Sequence, residues 1–241
     1  MIFRQLFDRE SCTYTYLLAD PCSKEALLID PVLEQVARDL EIIAELGLKL
    51  RFTLETHVHA DHITGADRLR AATGSKSALS PRGGADCADL YLDHGDCIEF
   101  GEQVLEVIAT PGHTSTCLSY YLRSQDMVFT GDTLFIRGCG RTDFQQGSIG
   151  ELYRSVNERL FTLPDETRVY PGHDYAGRTL STIGEEKAHN PRLGGGRSLA
   201  EFTAIMEGLA LSDPKKIAVS LPANRNCGRL DAGDVAGPAQ S

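Results

Sequence analysis

Thr56-His57-Val58-His59-Ala60-Asp61-His62 sets three imidazoles and a carboxylate within six residues, between the apolar run 50–54 and a helical pattern that follows. A packed core has no use for such polarity, whereas neutral imidazole and ionised carboxylate are nitrogen and oxygen donors for transition metals. In an extended segment His57 and His59 project to the same side. Asp61 and His62 fall where a helix over 63–72 begins. The stretch predicts four donors converging on one point at the C-terminal edge of a strand.

Working outward, Leu50–Leu54 reads as the strand that delivers His57. Before it lie three turn-separated β runs, 2–7, 13–19 and 25–30, and a helix whose apolar positions Val32, Val36, Leu40, Ile43 and Leu46 recur at three and four residues until Gly47. After the His stretch, Gly74 closes the next helix, and 75–101 gives a weak pattern of short strands and loops. His94 stands alone there and is left out of the site. Runs 103–109 and 117–123 are rich in β-branched and aromatic residues and flank Thr110-Pro111-Gly112-His113-Thr114. Two further strands, 127–130 and 168–171, end in Gly131-Asp132-Thr133 and Gly172-His173-Asp174-Tyr175. Ser148 and Ser198 each precede a Glu by three residues and open helices to Phe161 and Leu211. Gly194-Gly195-Gly196 reads as a flexible joint. Strands alternating irregularly with helices suggest an α+β chain, two mixed sheets packed together with helices on the outer faces.

The chain has 241 residues, long enough for a core without staples, and its 24 basic against 34 acidic residues give a net charge of −10. That balance argues against a nucleic-acid partner, so an anionic substrate must be drawn by a local Arg cluster. Seven Cys at 12, 22, 87, 97, 117, 139 and 227 include no C-x-x-C pair and read as reduced thiols of a cytoplasmic protein. The start carries Asp8 and Glu10 and lacks the apolar core of a signal peptide. No run approaches the ~18 apolar residues of a membrane span.

His57, His59, Asp61, His62, His113, Asp132 and His173 thus form seven donors at strand ends, most beside a Gly. Their order, H-x-H-x-D-H, then G-H-T, G-D and a last G-H, resembles the metallo-β-lactamase superfamily over residues 1 to 180. The resemblance implies an αβ/βα sandwich with its metal site at one edge, and a division into that core and an extension, 181–241, completing the same domain and the substrate pocket. Gly131-Asp132-Thr133-Leu134-Phe135 and Gly138-Cys139-Gly140-Arg141 are similar both to glyoxalase II thioesterases and to persulfide dioxygenases. Arg141-Thr142-Asp143-Phe144-Gln145, the stretch 170–175, Asn190-Pro191-Arg192-Leu193 and 222–228 resemble the dioxygenases.

What that resemblance implies is an enzyme holding one Fe(II) by His57, His113 and Asp132, with a face left open for O₂ and a substrate sulfur. His59, Asp61, His62 and His173 would orient ligands and water, or hold a second metal, and Asp61 or His173 would serve the water step. Arg141, Tyr175 and Arg192, with Thr114, are the candidates for binding the carboxylates and sulfur of glutathione persulfide, the second substrate being O₂. Cys227 is a candidate thiol for relaying sulfur. No membrane or nucleic-acid partner is expected, and a homodimer is. Two alternatives stand beside this: a glyoxalase II-type hydrolase of S-lactoylglutathione with two metals, and a non-catalytic iron-binding or redox-sensing module.

Overall fold

The computed structural model describes residues 1–209, 211–212 and 216–229. The chain runs β1 (Ile2–Phe7), β2 (Tyr14–Ala19), β3 (Glu25–Ile29), α1 (Val36–Glu45), β4 (Lys49–Leu54), α2 (Ala66–Thr73), β5 (Lys76–Leu79), β6 (Leu90–Tyr91), β7 (Cys97–Phe100), β8 (Gln103–Ala109), β9 (Leu118–Leu122) and β10 (Met127–Gly131). It continues with α3 (Ile149–Arg154), β11 (Arg168–Pro171), β12 (Ser181–Thr182), α4 (Ile183–His189), α5 (Leu199–Glu207) and α6 (Ile217–Arg225). Each sheet follows the chain: β1 to β6 form one six-stranded sheet in order, and β12 back to β7 form the other. Both are mixed. The pairs β3·β4, β4·β5 and β10·β11 are parallel and are bridged by α1, α2 and α3, as parallel neighbours require.

Side-chain alternation decides which layer each residue joins. Tyr14, Tyr16 and Leu18 of β2 face the second sheet and pack with Ile29, Phe100, Tyr120, Phe129 and Tyr170 between the sheets. Leu17 and Ala19 face outward and meet Ile43 of α1 and Leu69 of α2. On the far side Val128 and Val169 pack under Leu152, Val156, Ile183 and Phe202. The sandwich inferred from the strand and helix pattern is therefore present, with helices outside both sheets.

Several boundaries differ from the sequence reading. The helix expected from 63 begins at Ala66, because the Ile63 carbonyl accepts from Leu33 N and Gly65 N donates to the Pro31 carbonyl. Those bonds tie 63–65 to the turn after β3, and the same turn delays α1 until Val36. Gly194-Gly195-Gly196 is not a loose joint: Gly194 N donates to Asn190 O and Gly195 N to Lys187 O, closing α4. Residues 181–229 contribute a two-residue strand and three helices, and α5 stops at Glu207, short of Leu211.

The reduced-thiol reading is corrected for two cysteines. Cys87 and Cys227 form a disulfide across 140 residues, with Cα atoms 5.8 Å apart. Cys12, Cys22, Cys97, Cys117 and Cys139 are free. Since α6 folds back over the loop between β5 and β6, residues far apart in sequence meet, which spacing alone could not reveal. Among the described residues no helix is long and apolar enough to cross a membrane.

Candidate metal centre

Strands β8, β10 and β11 run the same way, and their C-terminal turns bring His113, Asp132 and His173 to one edge, where β4 of the other sheet delivers residues 55–62. The edges are tied together by Leu118 N donating to Thr56 O and by the Thr13·His173 bridge. All seven sequence donors assemble there. The His57 ring lies 4.1 Å from that of His59 and 4.9 Å, edge-on, from that of His113. Although His57 and His59 are neighbours, as their spacing suggests, their nitrogens serve different partners.

One group combines His57, His113 and Asp132, whose candidate ligand atoms lie within 4.8 Å of one another. His113 Nδ1 donates to the Arg141 carbonyl at 2.7 Å, which leaves Nε2 as a bare lone pair 3.5 Å from Asp132 Oδ2. Asp132 Oδ1 accepts from His173 Nδ1 at 2.7 Å, so Oδ2 keeps its lone pairs. His57 Nδ1 lies 3.0 Å from the Thr56 hydroxyl, leaving Nε2 available. Burial drives the pKa of His57 well below the ordinary imidazole value, and nearby His59 adds to it. Burial alone would raise Asp132, yet His173, His113 and His57 hold it well below the usual carboxylate range. A neutral His57 and an ionised Asp132 beside His113, with candidate ligand atoms this close together, suit a divalent transition metal.

Close approach at this point depends on glycine. A Cβ on Gly140 would stand 2.4 Å from the Asp132 carbonyl oxygen and 2.8 Å from His113 Nδ1, and one on Gly172 would stand 2.6 Å from Asp132 Oδ1. Neither position has a positive φ. These glycines are needed for space around the donors rather than for a sharp turn.

A second group, His59, Asp61 and His62, overlaps a third of Asp30, Glu55 and His59. Here most polar atoms are spent on one another. His173 uses both ring nitrogens on carboxylates, Nδ1 on Asp132 and Nε2 on Asp61 at 2.9 Å. Asp61 Oδ2 also accepts from His62 Nδ1 at 2.9 Å and from the Thr13 hydroxyl at 3.2 Å. His59 Nε2 donates to Asp30 Oδ1 at 3.0 Å. Burial opposes charge on His59, but Asp30 and Glu55 override it and raise its pKa well above the usual value; Asp132 and Asp61 do the same for buried His173. Three buried atoms of these groups make no hydrogen bond among the described residues, His59 Nδ1, His62 Nε2 and Glu55 Oε2, and through them the cluster could still reach a cation.

Sequence reasoning missed four residues. Asp30 accepts from Thr56 N, from the Thr56 hydroxyl and from His59. Thr13 touches Asp61, His62 and His173. Glu55 Oε2 lies 3.5 Å from His59 Nε2. Asn224 of α6 donates to the carbonyls of both His59 and His62 and accepts from Thr64 N. Asp30 left a trace, a carboxylate at the end of the apolar run Ala26–Ile29; Asn224 lies in the 222–228 stretch that resembles the dioxygenases, but that resemblance assigns it no role, and Thr13 and Glu55 are single polar residues with no spacing to mark them.

The substrate-binding candidates scatter around this edge. Arg141 stacks on Phe144, pairs with both oxygens of Asp143 and donates to Ser212 O. Tyr175 is 74% exposed and its ring stacks parallel to His173 at 6.0 Å. Arg192 points inward to the Cys139 carbonyl at 2.7 Å. Thr114 is buried and its hydroxyl bonds within its own loop to Thr116 and Cys117. Cys227 cannot act as the unpaired thiol expected of it, since its sulfur is bonded to Cys87 and it is 1% exposed. His94 is an exposed residue of a turn whose backbone N–H donates to Asp93.

Comparison with known proteins agrees with the geometry. Residues 13–173 match the model of the metallo-beta-lactamase superfamily. A Mus musculus protein named persulfide dioxygenase ETHE1, mitochondrial, is 52% identical over 95% of this chain and 89% of its own. The crystal structure of ETHE1 from Myxococcus xanthus superposes with a TM-score of 0.92 at 56% identity, covering 95% of this chain and all of that one. A hydroxyacylglutathione hydrolase of Methylobacterium is more distant, 31% identical over 85% of this chain and 91% of its own.

Proposed function

The chain belongs to the metallo-beta-lactamase superfamily and, within it, to the persulfide dioxygenases, and from that premise we propose that it oxidises glutathione persulfide with O₂ and water to glutathione and sulfite. The observation that carries this reading is the 52% identity to a persulfide dioxygenase along nearly the whole chain. In the balanced reaction, GSSH, O₂ and H₂O give GSH, sulfite and two protons; the persulfide S–S bond breaks and its terminal sulfur is oxidised.

His57, His113 and Asp132 are the proposed ligands of one Fe(II). Two imidazoles and a carboxylate form the donor set of oxygenases that leave coordination positions for O₂ and substrate. The rest of the centre supports those three. The Arg141 carbonyl fixes the His113 ring, and His173 fixes Asp132 while bridging it to Asp61. With both nitrogens of His173 committed to carboxylates, it orients Asp132 and Asp61 rather than offering a ligand atom of its own, and the reading of one iron per chain rests on the set His57, His113 and Asp132. In the water step the same commitment makes His173 the group that holds Asp61 in place. Asp61 Oδ1 accepts no hydrogen bond among the described residues, so it is the oxygen proposed to accept a hydrogen bond from an attacking water and orient it. Burial opposes ionisation of Asp61, but His173 and His62 hold its pKa well below the carboxylate range. Arg141 and Tyr175 are proposed to meet the substrate at the mouth of the centre, with Arg192 and Thr114 shaping the loops behind them.

A cytoplasmic location is part of the proposal, supported by five free thiols and opposed by the Cys87–Cys227 disulfide; the mouse relative is named mitochondrial. A homodimer is proposed by likeness only, and the net charge of −10 speaks against nucleic acid. The test is a paired assay on the iron-loaded protein. Oxygen uptake matched by sulfite from glutathione persulfide is expected. Thiol release from S-lactoylglutathione without oxygen uptake would select the hydrolase instead, and silence in both would select the non-catalytic module.

A further inference from the structure

Arg82, Arg225, Ser115, Gln145, Gln146 and Val58 line an open cavity of about 370 Å³, solvent included. Val58 stands between His57 and His59, and the cavity wall reaches Thr114, the neighbour of His113, so the cavity backs directly onto the loops that carry two proposed ligands. Its amides are already set: Gln145 Nε2 donates to the Val58 carbonyl at 2.7 Å, and the Ser115 hydroxyl donates to Gln146 Oε1 at 3.0 Å. No carboxylate lines it, in a chain of net charge −10. Arg82 has one partner, the exposed Asp93 at 3.3 Å, and the Arg225 guanidinium makes no hydrogen bond or ion pair among the described residues. By contrast, Arg192 is turned to a buried carbonyl and Arg141 is paired with Asp143.

We propose that Arg82 and Arg225 form the subsite that takes a terminal carboxylate of the peptide persulfide. The proposal rests on the persulfide reading above and supplies the local Arg pair that an acidic protein needs to draw an anionic substrate. A tripeptide persulfide carries carboxylates at both ends of a flexible chain and its sulfur between them. The proposal places one end on this ledge and the sulfur at the metal edge, beyond the loops of His57 and His113. Guanidinium is suited to the task because its fork of donors matches both oxygens of a carboxylate. The Cys87–Cys227 disulfide serves this subsite. Cys87 lies five residues after Arg82 and Cys227 two after Arg225, so the bond holds the two cationic segments side by side.

The test uses glutathione itself, the proposed product, which binds without being oxidised. By titration calorimetry on the iron-loaded protein, Arg82→Gln with Arg225→Gln should weaken glutathione about tenfold, the loss of partly solvated charge-assisted bonds. Glutathione diethyl ester should bind the wild type weakly and the double variant no worse. With glutathione persulfide the double variant should show a raised KM at unchanged kcat. Equal glutathione affinity in the double variant and the wild type, or an ester that binds the wild type as tightly as the acid, would overturn the subsite. Absence of oxygen uptake by the wild type would instead sink the persulfide reading, and the glutathione titration would still decide the subsite.

Discussion

A methyl group at Gly140 would press on the Asp132 carbonyl and on the His113 ring at once, and both neighbours are fixed from behind, His113 by the Arg141 carbonyl and Asp132 by His173. Neither can retreat without leaving its place in the donor set. Gly140→Ala should therefore lose most bound iron while keeping its far-UV circular dichroism, and His113→Ala should do the same by deleting a donor. Metal analysis of the purified variants checks both, and full iron occupancy in either would remove that residue from the centre. The donors themselves were legible in the sequence because ligand chemistry demands rare residue types at short, regular intervals. Asn224 and Thr13 were not. They act through backbone carbonyls and hydroxyls reached only after folding, and nothing about a single Asn or Thr announces such a partner.

Among the elements, α6 matters most to the site, since it alone brings Asn224 to the His59 and His62 carbonyls, and the disulfide at its end anchors it to the loop after β5. Closing a loop of 140 residues restricts the unfolded chain, with an effect of about 5 kcal/mol in chain-entropy terms. Reduction should lower Tm by roughly 10–20 °C for a chain of this size. Calorimetric scans with and without a phosphine reductant measure this, and Cys87→Ser should reproduce the reduced value. A Tm that does not move on reduction would show that α6 is held by packing and Asn224 alone. Strands with strong periodicity, such as β2 and β8, could be read from sequence nearly to the residue, and α1 could be read except for its first turn. The start of α2 could not. It is set by hydrogen bonds from 63–65 to the turn after β3, and long-range pairing of that kind overrides local pattern.

For the whole molecule, acidity dominates, and its carboxylates are tied into the fold away from the metal edge as well as at it. Asp20 accepts from the backbone N–H groups of Cys22 and Ser23 at 2.8 Å, and these bonds bring its pKa down to about 2. Against burial, which raises them, Asp67 is lowered by Arg229 and Arg70, and Asp89 by Ser77 and Arg70. An acid whose folded pKa is depressed stabilises the fold fully above its unfolded value, about 4. It loses that contribution as pH falls through the folded value. Asp39 works the other way, since burial raises its pKa and its stabilising contribution is lost as pH rises. The depressed group is the larger, so the urea midpoint should decline as pH falls from about 4 toward about 2. Acid also strips metal ligands, so the wild-type slope by itself does not identify its source. Asp20→Asn isolates one part, because it removes the titrating group while leaving the metal edge untouched. Its midpoint should start lower at neutral pH and fall less steeply below pH 4 than that of the wild type. Parallel curves would mean that the turn at Asp20 contributes nothing to the acid limb, which would then belong to the metal edge.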